Sequence, residues 1–237
     1  MSNPYFRFKQ FTIWHDQCAM KVNTDGVLLG AWATVENPGL ILDIGTGTGV
    51  IALMMAQRSQ ATIHALEIED NACSQAVFNV ENSPWKQRVE VIHGDFCCYY
   101  RECQHKYNLI LTNPPYFSNS LRNPDAAKKM ARHNDTLPFS DLLKGVANLL
   151  AEAGRFAVIL PHNTREFEAE AWLNGLQCCR RLKVRSFLDK PVIRELLEFK
   201  RIPLVNSEII HELFVYTSPS VYSTPYMELT KDFYLKH

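Results

Sequence analysis

No run of about 18 apolar residues occurs in this chain, so no membrane-spanning helix is expected. An excess of charge is missing too. The 25 Lys and Arg stand against 25 Asp and Glu, which argues against a uniformly basic nucleic-acid binder and moves attention to local patches. Cys-x-x-Cys is absent. The seven cysteines include the adjacent pairs Cys97-Cys98 and Cys178-Cys179 and an odd one, and read as reduced cytoplasmic thiols with no metal site among them. The opening Met1 to Phe8 reads as neither a signal peptide nor a transit peptide, so a cytoplasmic protein is expected. There is no internal repeat and no low-complexity tract. What remains is 237 residues, 46% hydrophobic and 21% charged, enough to bury one large core, and a single domain over 1–237 is expected.

The most informative residues that are present form the tetrapeptide Asn113-Pro114-Pro115-Tyr116, which follows the apolar strand-like run Tyr107 to Thr112. Two prolines there shape a loop and remove two amide donors, leaving carbonyls free to accept hydrogen bonds. Asn113 adds an amide oxygen and Tyr116 a flat ring. The segment is either a receptor for a planar amino group or a proline-rich strand-to-helix turn with a satisfied asparagine.

Upstream, Leu40 to Ile44 runs through Gly45-Thr46-Gly47-Thr48-Gly49 into Val50 to Ala56, a strand, glycine turn and helix with Asp43 two residues ahead of the first glycine. Alternate glycines let the backbone turn tightly beside a ligand, and the helix start presents unpaired amides and a positive dipole end. The spacing Gly-x-Gly-x-Gly differs from the Gly-x-Gly-x-x-Gly of dinucleotide binders. The next apolar run, Ala61 to Leu66, ends in Glu67, which is either a ribose-diol ligand or a solvated acid at a strand end. Val89 to His93 leads into Gly94-Asp95-Phe96, a carboxylate beside a ring that is expected to flank an adenine. Four successive strands thus end in a polar group on one rim, where open parallel sheets bind ligands.

Through Asp43, Gly45, Gly47, Gly49, Glu67, Asp95 and Asn113-Pro114-Pro115-Tyr116 the sequence resembles the class I S-adenosylmethionine-dependent methyltransferases, and through its tetrapeptide those acting on exocyclic amino or amide nitrogens. A closer likeness covers most of the chain: Phe8-Lys9-Gln10-Phe11, Cys18 to Gly26, Asn82-Ser83-Pro84-Trp85, Ala131-Arg132-His133 and Phe233-Tyr234-Leu235 resemble the bacterial tRNA1(Val) adenine-N6-methyltransferases. The resemblance implies S-adenosyl-L-methionine as cofactor and tRNA as partner. It implies catalysis by Asn113, Pro114, Pro115 and Tyr116, and a cofactor site of Asp43, Gly45, Gly47, Gly49, Glu67, Asp95, Phe96 and Thr24. It further implies that residues 1–34 cover the cofactor ahead of a core at 35–237. No metal is expected, and a monomer is expected.

Local charge points the same way. Lys128, Lys129, Arg132 and His133 cluster after the tetrapeptide, and Arg180 to Arg201 holds eight Lys or Arg against three acids. With the resemblance in hand, the first cluster is assigned to RNA binding, His133 without any chemical step, and the second is expected to belong to a patchy RNA face.

The expected fold is α/β and Rossmann-like, with a mostly parallel seven-stranded sheet flanked by helices and closing in an antiparallel hairpin. Helices are predicted over Thr48 to Arg58, Asp70 to Asn82, Phe139 to Ala151 and Thr164 to Gly175. Further strands are predicted over Arg155 to Leu160, Leu182 to Leu188 and Ile193 to Arg201, the last two joined by a tight Asp189-Lys190-Pro191 turn, with an edge strand within Glu208 to Thr217. Lys21 to Gly26 predicts a turn into a short apolar helix, with Asp25 either near the methyl donor or capping that helix. Phe117 to Leu137 is polar and long for a plain connection, and reads as a substrate loop.

The chemistry expected is N6-methylation of adenine, with Asn113 and the Pro114 carbonyl accepting the amino hydrogens and Tyr116 stacking on the base. A protein glutamine carboxamide presents the same planar amino group and is the enzymatic rival. A non-catalytic module that binds S-adenosylmethionine or RNA is the rival of another class. Guanine N2-methylation is disfavoured, since enzymes of that kind usually carry phenylalanine where Tyr116 stands.

Overall fold

The computed structural model describes residues 3–18, 20–36, 39–115, 137–203 and 207–235. Tyr116, Lys128, Lys129, Arg132, His133 and the expected substrate loop up to residue 136 lie outside the described residues.

A glycine turn and four βα connections lay down the strands β3 (Leu40–Ile44), β4 (Thr62–Glu67), β5 (Val89–His93), β6 (Tyr107–Thr112) and β7 (Leu150–Pro161), each parallel to its neighbours among them. The helices between are α2 (Val50–Arg58), α3 (Asp70–Glu81), α4 (Phe96–Glu102) and α5 (Phe139–Leu149). After α6 (Arg165–Leu173) the chain adds β8 (Leu176–Arg185), β9 (Val192–Arg201) and β10 (Ile209–Phe214). The sheet order is β10-β8-β9-β7-β6-β3-β4-β5. Its closing hairpin is present, because β9 runs antiparallel to both β7 and β8, and β10 is the expected edge strand, which makes the sheet eight-stranded. β8 begins well before the predicted Leu182, and pairing of Arg185 with Val192 leaves residues 186–191 as a longer connection than the expected tight turn.

The strand runs are apolar on both faces because both faces are covered. Ile41, Leu109, Leu111, Ala157 and Ile159 enter one core, while Leu42, Ile44, Ile110, Phe156 and Val158 enter the other. The first core takes α2 and α1 (Thr24–Trp32), the second takes α4, α5 and α6. α1 is packed into the core. Gly26 to Trp32 are all buried, and Gly30 sits so near Met54 that an added Cβ would come 2.6 Å from its Sδ.

Three features escaped the sequence reading. α4 is one, although Asp95 caps it with Oδ1 accepting from the Cys98 amide at 2.9 Å, a signal open to inspection. A second is the hairpin of β1 (Tyr5–Arg7) and β2 (Thr12–Trp14), strands too short for a period-two signal. The third is the tail, where β11 (Tyr216–Ser218), β12 (Val221–Tyr222) and α7 (Thr224–Thr230) line up Tyr216, Tyr222 and Tyr226 at centroid spacings of 5.1 and 4.9 Å. Tyr226 and Phe8 then both meet Tyr234, so rings join the two ends of the chain. No helix of the described residues is long and apolar enough to cross a membrane.

Asn79 of α3 joins the β1–β2 hairpin to the glycine turn. It is 1% exposed, accepts from the Trp14 amide at 2.8 Å, and donates to the Trp14 and Thr48 carbonyls at 2.8 and 2.9 Å. Asn79→Ala is expected to lower the unfolding free energy by about 2 kcal/mol or more, since buried polar groups lose their partner. Denaturant titration checks this, and a loss below about 0.5 kcal/mol would contradict it.

Candidate active site

β3 lies between β4 and β6, so the chain reverses its winding direction there and the carboxyl ends of β3 and β6 border one crevice. Ile44 pairs with Thr112, and the Thr112 hydroxyl donates to the Ile44 carbonyl at 2.9 Å. The glycine turn and Asn113-Pro114-Pro115 therefore leave adjacent strands side by side.

Gly45, Gly47 and Gly49 have φ of +68°, +55° and +81°, the left-handed region that side chains resist. Among the described residues a Cβ on Gly45 or Gly47 would meet nothing within 4 Å, so this backbone borders open space there, whereas Gly49 is backed by Ala76. The turn is tied down from β4: the Gly45 and Thr46 amides donate to the Leu66 carbonyl at 2.9 and 3.0 Å, and the Gly47 amide to Glu67 Oε2 at 2.7 Å. Glu67 Oε1 takes the amides of Ile68 and Glu69, and the residue is 8% exposed. It is not the solvated strand-end acid that the sequence alone left open.

Asp43 lies beneath the turn and is wholly buried. Its Oδ2 accepts from the Thr46 hydroxyl at 2.5 Å, while Oδ1 has no hydrogen-bond partner among the described residues. Burial pushes its carboxyl up to about 7, against the opposing pull of Thr46, and the Glu67 carboxylate adds to the rise.

The remaining candidates divide. Asp95 caps α4 at the end of β5, on the expected rim. The Phe96 ring does not flank that rim: it is 5% exposed and packs against Tyr100 and Gly145, where an added Cβ would come 2.5 Å from it. The hydrophobic core claims the ring. Thr24 begins α1, exposed, with Gly26 packed beside Val50 and Ile51 at the head of α2. The cap of α1 is not Asp25. Asn23 accepts from the Gly26 amide at 2.9 Å, while Asp25 Oδ2 accepts from Arg194 Nε at 2.8 Å. Asn113 and Pro114 are half-buried and Pro115 exposed.

Several arginines of the Arg180 to Arg201 segment, expected to belong to a patchy RNA face, are engaged within the protein. Arg180 lies 4.1 Å over the Trp32 ring and pairs with Thr34 and Glu198. Arg181 binds Glu168, Glu195 and Glu208, Arg185 binds Glu212, and Arg201 donates to the carbonyls of Ala147 and Leu150. Four of the eight cations, Arg180, Arg181, Arg194 and Arg201, thus have part-buried partners within the fold, which a count along the sequence cannot reveal.

A family model described as the methyltransferase small domain matches residues 23–164. The tRNA1(Val) (adenine(37)-N6)-methyltransferase of Bacteroides fragilis is 48% identical over 238 residues, with 100% of each chain covered. That of Trichodesmium erythraeum is 45% identical over 243 residues, also with 100% of each covered. Among solved structures, a predicted O-methyltransferase, Atu636, from Agrobacterium tumefaciens gives a TM-score of 0.67 at 16% identity over 88% of this chain and 96% of that one. The glycopeptide N-methyltransferase MtfA, complexed with S-adenosyl-L-methionine, gives 0.55 at 13% identity over 77% and 90%. At such identities the structures speak to fold alone.

Asp43 has a consequence for stability. Its folded value of about 7 lies above the unfolded 3.8, so the native state binds the proton more tightly and this contribution weakens folding as pH climbs between those values. Asp43→Asn is expected to gain on the wild type by on the order of 2 kcal/mol between pH 5 and pH 8. Thermal unfolding of both proteins at the two pH values measures the gap, and a gap independent of pH would count against the assignment.

Proposed function

The chain belongs to the methyltransferase small-domain family and, within it, to the tRNA1(Val) (adenine(37)-N6)-methyltransferases, and on that footing we propose that its crevice receives an anticodon-loop adenine beside S-adenosyl-L-methionine. The protein is an S-adenosylmethionine-dependent enzyme that methylates N6 of adenine in tRNA. Its named relatives act on adenine 37 of tRNA1(Val), and the same nucleotide, immediately 3′ of the anticodon, is taken as the target here. We read residues 1–237 as one domain working in the cytoplasm, where tRNA is found.

The observation that carries the reading is the neighbourhood of two turns on paired strands, one open and left-handed in backbone, the other rich in acceptors. The open space beside Gly45 and Gly47 suits a cofactor that must come close to backbone. Gly45, Gly47 and Gly49 would form its cradle, with Asp43 and Thr46 bracing the turn and Glu67, while latching the Gly47 amide, lending the remaining lone pair of Oε2 to a ribose hydroxyl. Asp95 and the Phe96 backbone amide would flank the adenine, and Thr24 the methionine end.

S-adenosylmethionine supplies an electrophilic methyl group on a sulfonium sulfur. The adenine N6 lone pair is drawn into its ring, so the enzyme's part is to hold the amino group and stabilise the positive charge that grows on it. The Asn113 side-chain oxygen and the Pro114 carbonyl would accept the two amino hydrogens, and Tyr116 would stack on the base for about 1 to 3 kcal/mol. An unpaired loop adenine reaches such a pocket without the cost of opening a duplex. No strong base is needed, because the nitrogen turns acidic once methylated. Lys128, Lys129, Arg132 and His133 would meet the RNA backbone.

Labelled S-adenosylmethionine incubated with unmodified total RNA and, separately, with total protein is expected to mark N6-methyladenosine in valine tRNA. Label in protein glutamine would overturn the substrate. Asn113→Ala is expected to lower turnover by about 100-fold or more while cofactor affinity stays within about 3-fold. Unchanged turnover would remove Asn113 from the mechanism.

A further inference from the structure

His162 follows the last residue of β7, the strand parallel to β6, and so stands on the same rim as Asn113-Pro114-Pro115, one strand away. Its ring is anchored. Nδ1 lies 2.6 Å from Glu195 Oε1, and Glu195 is 3% exposed. The other Glu195 oxygen binds Arg181, which also binds Glu168 and Glu208 at 2.6 Å each and the Thr164 hydroxyl at 3.1 Å. These partners come from α6, β8, β9 and the approach to β10, so the imidazole rests on four elements of the fold.

The arrangement sets what His162 can offer. The Glu195 carboxylate only accepts, its own pKa held down by the Arg181 and His162 hydrogen bonds against the opposing effect of burial, so Nδ1 must carry a hydrogen. Nε2 is left as the working atom. The side chain is 55% exposed, and Nε2 makes no hydrogen bond among the described residues. Behind it three carboxylates surround one guanidinium, a network short of positive charge. An imidazolium between that network and a polyanion satisfies both sides and donates outward from Nε2. Arg194 lies next to this position on β9, paired in register with Pro161, and is held by Asp25. A single exposed histidine on a strand end is ordinary, whereas one braced by a buried carboxylate that a half-buried arginine holds is oriented.

We propose that His162 is a substrate-positioning residue that donates a hydrogen bond from Nε2 to a phosphate oxygen of the tRNA backbone beside the target adenine. The inference rests on the tRNA reading above and adds a contact that the glycine turn and the Asn-Pro-Pro-Tyr segment do not supply. It concerns RNA alignment and not the methyl transfer itself.

The test compares wild type, His162→Ala and His162→Gln in steady-state methylation of unmodified valine tRNA and in tRNA binding over a salt series. The variants are expected to raise KM for tRNA by about 10-fold with kcat at saturating tRNA kept within about 2-fold. The slope of log affinity against log salt should fall by about 0.7 to 0.9, the signature of one lost phosphate contact. Cofactor affinity should match the wild type, while the melting temperature falls by a few degrees, because Glu195 Oε1 loses a partner and Arg181 still holds Oε2. An unchanged KM overturns the proposal, and so does weaker binding with an unchanged salt slope, which marks an uncharged contact. Failure of the wild type to methylate tRNA in the same assay would fall on the functional reading itself.

Discussion

Gly45, Gly47 and Gly49, each with positive φ, carry the chain from β3 into α2, and the rim of the sheet is arranged around that turn. Such a backbone is open to glycine and hostile to other residues, so it must be held by its surroundings if it is to stay in one shape. Leu66 and Glu67 hold it from β4, the buried Asp43 holds Thr46 from below, and Asn79 of α3 holds the Thr48 carbonyl. The same Asn79 fastens Trp14, so the amino-terminal hairpin and the glycine turn share one anchor. A turn fixed this way keeps its amides in place before any ligand arrives, which is what an alignment-driven reaction requires.

A second theme is where the charge goes. The chain is formally neutral, and many of its arginines are committed to internal partners. Arg181 knits three elements through three carboxylates, Arg180 ties β8 to Trp32 at the end of α1 and to Thr34 beyond it, and Arg194 ties β9 to Asp25 at the head of α1. Ion pairs that are half-buried and shared among several elements specify geometry more than they add stability. Among the described residues, the cations are therefore better placed to shape the rim than to coat it.

Much of the fold was legible in advance because parallel strands buried on both faces must be continuous apolar runs, and β3 and β6 stand where such runs end in Gly or Asn. Candidate ligands at strand ends were legible for the same reason, since the rim of a parallel sheet is where strands stop. Positions whose role depends on a distant partner were not. Asp25 read as a cap, yet its partner Arg194 is 169 residues away; Phe96 read as an adenine wall, yet Gly145 of α5 leaves room for its ring in the core.

By itself the sequence determined the alternation of strands and helices, the glycine turn and the acceptor-rich tetrapeptide, because these depend on local backbone freedom and on hydrophobic period. Only the tertiary structure decided that Glu67 would latch the Gly47 amide, that Arg181 would be surrounded by acids, and that His162 would be braced by Glu195. A side chain's partners are set by strand order and register, and pairs such as β7 with β9 bring together residues that no local pattern connects.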